Sequence, residues 1–159
     1  MAWSGSAIFR EFVAGPMFQA SGTGWTGLDS DTVKLANFNN VTPDKDAAVA
    51  STGFNTGVWL TSAEISDATN WPSGGLALAS KTFTTPSSGV AMFDAADRAG
   101  SGNVTMAGFY GGFIYDDTIS AGTVADQGIC FLNYGGSQSV SAGTLSVIFS
   151  ANGVMRISV

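Results

Sequence analysis

Ten aspartates, two glutamates and one cysteine are the side chains here suited to acid–base, metal or nucleophilic chemistry, and histidine is absent from all 159 residues. Histidine titrates near neutral pH and is the usual general base and metal ligand. Any chemistry would therefore rest on the carboxylates. Asp116-Asp117 with Asp126, and Asp94 with Asp97, offer oxygen ligands of the kind Ca²⁺ takes. The EF-hand spacing with its glycine and closing glutamate is missing, and aspartate in a β-turn more often caps its own backbone. Structural use is the expectation, with no metal and no cofactor assigned.

Paired acids facing one cleft hydrolyse glycosides, yet no spacing singles out a pair among these twelve. Cys130 lies in the apolar run Ile129-Cys130-Phe131-Leu132 with no cationic neighbour, which reads as core packing. The chain has no Gly-x-Ser-x-Gly, no Ser-x-x-Lys and no phosphate-binding Gly-x-x-x-x-Gly-Lys. No catalytic residue is assigned, and the chain is read as binding or holding rather than transforming. Trp25, Trp59, Trp71, Tyr110, Tyr115 and Tyr134 could form a sugar-stacking platform, but such residues also fill cores and interfaces, which is the default.

Charge narrows the partners. The net charge is −6, and the six cations are scattered as Arg10, Lys34, Lys45, Lys81, Arg98 and Arg156. Without a basic stripe, neither nucleic acid nor an anionic membrane surface is an expected partner. Charged residues make up only 11% of the chain, well below the usual share of about 25%. So neutral a surface suits assembly, with neighbours covering much of it. Met1–Gly5 carries no basic or long apolar stretch, and no run of ~18 apolar residues occurs, so synthesis and initial solubility in a cytoplasm are expected. The sequons Asn40-Val41-Thr42 and Asn103-Val104-Thr105 carry little weight in that setting.

Such residues must be positioned by strands. The one helical pattern is short: Ile8, Phe9, Phe12 and Val13 share one helix face, with Ser4 or Ser6 as cap and Gly15-Pro16 as stop. Beyond a Gly/Thr-rich loop at 21–27 the period becomes two. Strands are expected at 32–37, 58–61, 76–84, 90–93, 104–110, 112–115, 127–134, 144–150 and 154–159, with turns at Pro72–Gly75, Pro86–Gly89, Gly100–Asn103 and Gly135–Ser137. Asn152-Gly153 between two alternating runs predicts a C-terminal hairpin with a type I′ turn. The expectation is a single all-β domain over 1–159, an antiparallel β-sandwich (jelly-roll-like) with a short N-terminal helix or arm within 1–27.

Several stretches resemble a family of small structural proteins of tailed bacteriophages, encoded among capsid genes. They are Asp31-Thr32-Val33-Lys34-Leu35-Ala36-Asn37-Phe38-Asn39-Asn40 with Thr42-Pro43-Asp44, then Glu64-Ile65-Ser66-Asp67-Ala68-Thr69-Asn70-Trp71-Pro72-Ser73-Gly74-Gly75-Leu76. The stretch from Glu64 is similar to the family's Glu-Val-Ser/Thr-Gly-Thr-Gly-Tyr-x-x-Gly-Gly motif, from which Asp67 and Trp71 depart. Next come Phe93–Asp97, Gly112–Asp117, Asn133-Tyr134-Gly135-Gly136, Gly143–Val147 and Ala151-Asn152-Gly153, in the family's order and spacing.

The resemblance spans nearly the whole chain and implies a virion structural protein, a head decoration or minor capsid protein on the capsid exterior. Its partners would be the major capsid protein and itself, as a dimer or trimer whose linked copies gain avidity on the shell. Trp3, Ile8, Phe9 and Phe12 are the expected partner-facing residues, because apolar terminal segments are natural contact elements. A head–tail connector or tail protein is the alternative within the structural class. A carbohydrate-binding β-sandwich is the alternative outside it.

Overall fold

The computed structural model describes residues 3–10, 12, 26–120 and 124–158. The chain is all-β and its sheets are antiparallel. The largest sheet holds β1 (Ala7–Ile8), β9 (Gln127–Gly143), β8 (Val104–Asp116), β2 (Val33–Phe38) and β3 (Glu64–Ile65) in that order, with β4 (Leu76–Ala77) also on β2. A three-stranded sheet runs β11 (Met155–Ser158), β6 (Val90–Asp94), β5 (Thr82–Ser87). A short pair joins β10 (Ser146–Val147) to β7 (Arg98–Ala99). Buried residues from all three sheets, Phe113, Phe93 and Val147 among them, belong to one core.

The core is aromatic and centres on Trp59. Its indole stacks on Phe113 and meets Trp3, Phe9 and Phe38 edge to face at 5.8, 5.9 and 5.2 Å. The strand expected at 58–61 is instead a loop that bonds to itself. The Trp59 amide donates to the Thr56 carbonyl and the Asn55 amide donates to that of Trp59. Positive φ at Asn55 and Gly57 allows so tight a path. The loop acts as a plug over the sheet, which an apolar-period reading cannot distinguish from a strand.

The N-terminal helix does not begin at Ala7 as expected. Ala7 and Ile8 pair with Phe131 and Cys130 on the free edge of β9, and the chain is helical only at Arg10 and Phe12 among the described residues here. An unpaired strand edge offers a row of backbone donors and acceptors, and Ala7–Ile8 satisfies part of it. Ser6 caps no helix: its hydroxyl accepts the Asn133 amide. Val13 and Gly15-Pro16 lie outside the described residues, as does most of the 1–27 arm.

Elsewhere the expected strand bounds shift, some merging and others being split or cut short. Stretches 104–110 and 112–115 are one strand, β8, while 76–84 is split into β4 and the start of β5 around Ser80, whose φ is +49°. The C-terminal hairpin does not form. Ser150 and Gly153 close a turn, but neither Ala151 nor Asn152 has positive φ, so it is not type I′. The flanking strands part: β10 goes to β7 and β11 to β6. β6 captures the returning chain, with the Val154 amide on the Phe93 carbonyl and four registered pairs from Met155 to Ser158.

Candidate functional site

Three of the five acidic residues weighed as metal ligands are spent on backbone. Asp94 accepts the amide of Ala95, and Asp97 accepts that of Phe149. Asp116 is buried and accepts the Thr118 amide, closing a turn after β8. Asp117 turns outward into an ion pair with Lys34 at 2.8 Å. Asp126 sits at φ +52°, its carboxyl pushed up first by burial and then by Asp117. Among the described residues no three metal-ligating side chains converge.

The sugar platform is dismantled by packing. Trp59, Trp71 and Tyr115 are buried, Tyr110 and Tyr134 are half-buried, and Trp25 lies outside the described residues. Cys130 is buried and uncharged, its thiol pushed up to about 12 by burial. Of the four residues expected to face a partner, three are turned inward. Trp3, Phe9 and Phe12 are buried in this chain's own core, with the Trp3 indole N–H donating to the Asn39 carbonyl. Ile8 is half-buried against the same core. A terminal segment this apolar completes the sheet it follows.

The motif at 64–76 is a self-locking loop. The Glu64 carboxylate accepts the Ser73 hydroxyl at 2.5 Å and the Gly74 amide at 2.8 Å. Burial nonetheless pushes Glu64 above the ordinary carboxylate range. Gly75, at φ +74°, passes so close to β2 that a Cβ would stand 2.1 Å from the Leu35 carbonyl oxygen. Asp67 accepts the amides of Thr69, Asn70 and Thr105, tying the loop to β8. The acid and the glycine pair thus hold a crossing over the sheet.

What remains as a site is a groove of about 630 Å³ between the β8–β9 ribbon and the C-terminal segment 144–154. Its origin is a wide bulge. Phe109 pairs with Gln138 and Gly111 with Asn133, so four residues of β9, 134–137, face one of β8. Gly135 and Gly136, at φ +80° and +148°, allow this where a turn was expected. The Asn133 side chain accepts the Gly135 amide and Gln138 donates to the Tyr134 carbonyl. Both are held at the groove wall.

The floor is Phe109 against Tyr134, edge to face at 6.0 Å, with the Tyr134 hydroxyl donating inward to Asn37. Ile148 forms the lip and is 74% exposed. Tyr134 is the one lining residue that titrates, and burial pushes its phenol further up. Such a surface can bury apolar groups and meet amide or hydroxyl partners. Sequence reasoning missed it, although Gly-Gly inside an otherwise strand-like run is the mark of a bulge.

Among the described residues no helix is long and apolar enough to cross a membrane. No family model, curated protein or solved structure matches the chain.

Proposed function

We propose that this chain is a virion structural protein of a tailed bacteriophage, a decoration or minor capsid protein that binds the major capsid protein outside the head and braces the shell. The observation that carries the reading is the collinear order of motifs from Asp31 to Gly153. The fold lends support in two places. The groove beside β9 presents an uncharged wall of mixed apolar, hydroxyl and amide side chains suited to a protein surface, and it replaces the buried N-terminal residues as the shell contact. The edge strand β5 is exposed at every residue, and no charge falls between Thr82 and Phe93. An exposed, uncharged strand of this kind supports contacts between copies, with Pro86 and the bulge between Thr84 and Ser87 confining them to the first residues of the edge.

Quantitative mass spectrometry of purified virions tests the reading. A decoration protein is present in hundreds of copies per particle, whereas a connector ring holds about a dozen. A low count moves the protein to the connector or tail. Absence from particles, with binding on a glycan array, replaces the reading by a carbohydrate-binding module.

A further inference from the structure

Two buried carboxyl groups from distant parts of the chain meet where β2 begins and β8 ends. Asp31 and Asp116 are 2% and 0% exposed, and each carboxyl lies close enough to bias the protonation of the other. Asp31 is well supplied with donors: the amides of Thr26 and Gly27 at 2.9 and 3.1 Å, and the Thr26 hydroxyl. Those donors hold it below the usual carboxylate range despite burial. Asp116 accepts the Thr118 amide on Oδ1 and feels the Ile119 amide more weakly, while its buried Oδ2 has no hydrogen-bond partner. Two carboxylates cannot hydrogen-bond to each other without a proton between them, and leaving one buried anion unpaired against another is costly.

We propose that Asp31 and Asp116 share a single proton and form a pH-sensitive clasp, which fastens the 26–31 segment to the 116–118 turn and loosens when the proton is lost. Asp116 is the acid, donating from Oδ2, and Asp31 is the carboxylate that accepts. No neighbouring cation replaces the proton. The Lys81 ammonium sits on the main-chain oxygen of Asp31, and Lys34 is engaged by Asp117. Asp29 and Asp126, the other acids nearby on the packed loops, add only negative charge. Burial, with the Asp31 charge behind it, pushes Asp116 up to about 7, where the switch would operate. Two backbone-side ties flank the pair: the Thr32 amide donates to the Thr118 hydroxyl and the Asp117 amide to the Thr32 carbonyl, both at 2.8 Å. A calcium ion is a poorer occupant, since the Asp31 oxygens already hold three donors.

The sign follows from linkage. A carboxyl whose folded pKa is raised stabilises the fold below its unfolded pKa, and that contribution is lost as pH rises through the folded value. The test combines carboxyl-carbon NMR titration of the whole chain with melting curves of wild type and Asp116→Asn. The amide of D116N donates to Asp31 at every pH. The expected result is an Asp116 carboxyl that titrates near neutrality, and a wild-type melting temperature that falls by several degrees between about pH 5 and pH 8 while that of D116N falls much less. Titration of Asp116 below about pH 5, or identical pH profiles for the two proteins, overturns the clasp. So does a calcium-induced rise in melting temperature that a chelator reverses. The wild-type NMR titration decides the matter even where D116N fails to fold.

Discussion

Trp59 lies flat against Phe113, with ring centroids 4.4 Å apart and planes 20° from parallel. One ring comes from a self-bonded loop and the other from the middle of β8, so the contact pins the loop to the largest sheet. Trp59 also touches Trp3, Phe9 and Phe38. Trp59→Ala should therefore cost about 3–5 kcal/mol of stability. Equilibrium denaturation checks it; a loss below about 1 kcal/mol would show that the loop is not a core element.

The N-terminal segment separates packing from anchoring. Phe9 is fully buried and meets Phe113 and Phe131 edge to face. Phe9→Ala is expected to lower stability by about 3–5 kcal/mol, while the protein that remains folded binds shells as wild type does. Reduced shell binding by a fully folded, equally stable F9A variant would return this segment to the role of anchor.

Strand content and the all-β class were legible because turn residues and alternation are local signals. β2 and β6 fall within a residue of where alternation places them. Four things were not legible. Pairing partners depend on which edge is free, so Ala7–Ile8 joined β9 and β11 left β10 for β6. Apolar residues of a plug loop resemble a strand, as Val58–Leu60 does. The groove needs a bulge of four residues, and Gly135-Gly136 reads as a turn until its partner strand is known. Asp31 and Asp116 are 85 positions apart in the sequence, so nothing local marks them as a pair.

Gly75 tests the motif loop directly. Its φ of +74° and the 2.1 Å approach of a Cβ to the Leu35 carbonyl leave no room for a side chain. Gly75→Ala should destabilise by about 1–3 kcal/mol or more through strain and displacement of β2. Thermal melting checks it, and an unchanged melting temperature would mean that the crossing over β2 is looser than the fold shows.

Asp67 should govern part of the acid limb of stability. Three backbone amides (Asn70, Thr105 and Thr69) hold its carboxyl below the ordinary range. A lowered folded pKa stabilises above the unfolded value of about 4, and that stabilisation disappears as pH falls through the folded one. Asp67→Asn should therefore melt below wild type at neutral pH, with the gap closing toward about pH 2. A gap independent of pH would show that the charge is irrelevant and the geometry alone matters.

Ile148 separates function from folding. It is the most exposed large apolar residue at the groove lip, at 74%, so Ile148→Asp removes little buried area and should change stability by no more than about 0.5 kcal/mol. If the groove receives the capsid surface, the new charge would be buried without a partner on binding, and truncating or charging a central apolar contact commonly costs about 2 kcal/mol or more. That corresponds to roughly a thirtyfold loss in affinity. Co-sedimentation of I148D with empty shells measures it. Undiminished binding by a normally folded variant would move the contact elsewhere, and the uncharged β5–β6 edge would be the next surface to charge.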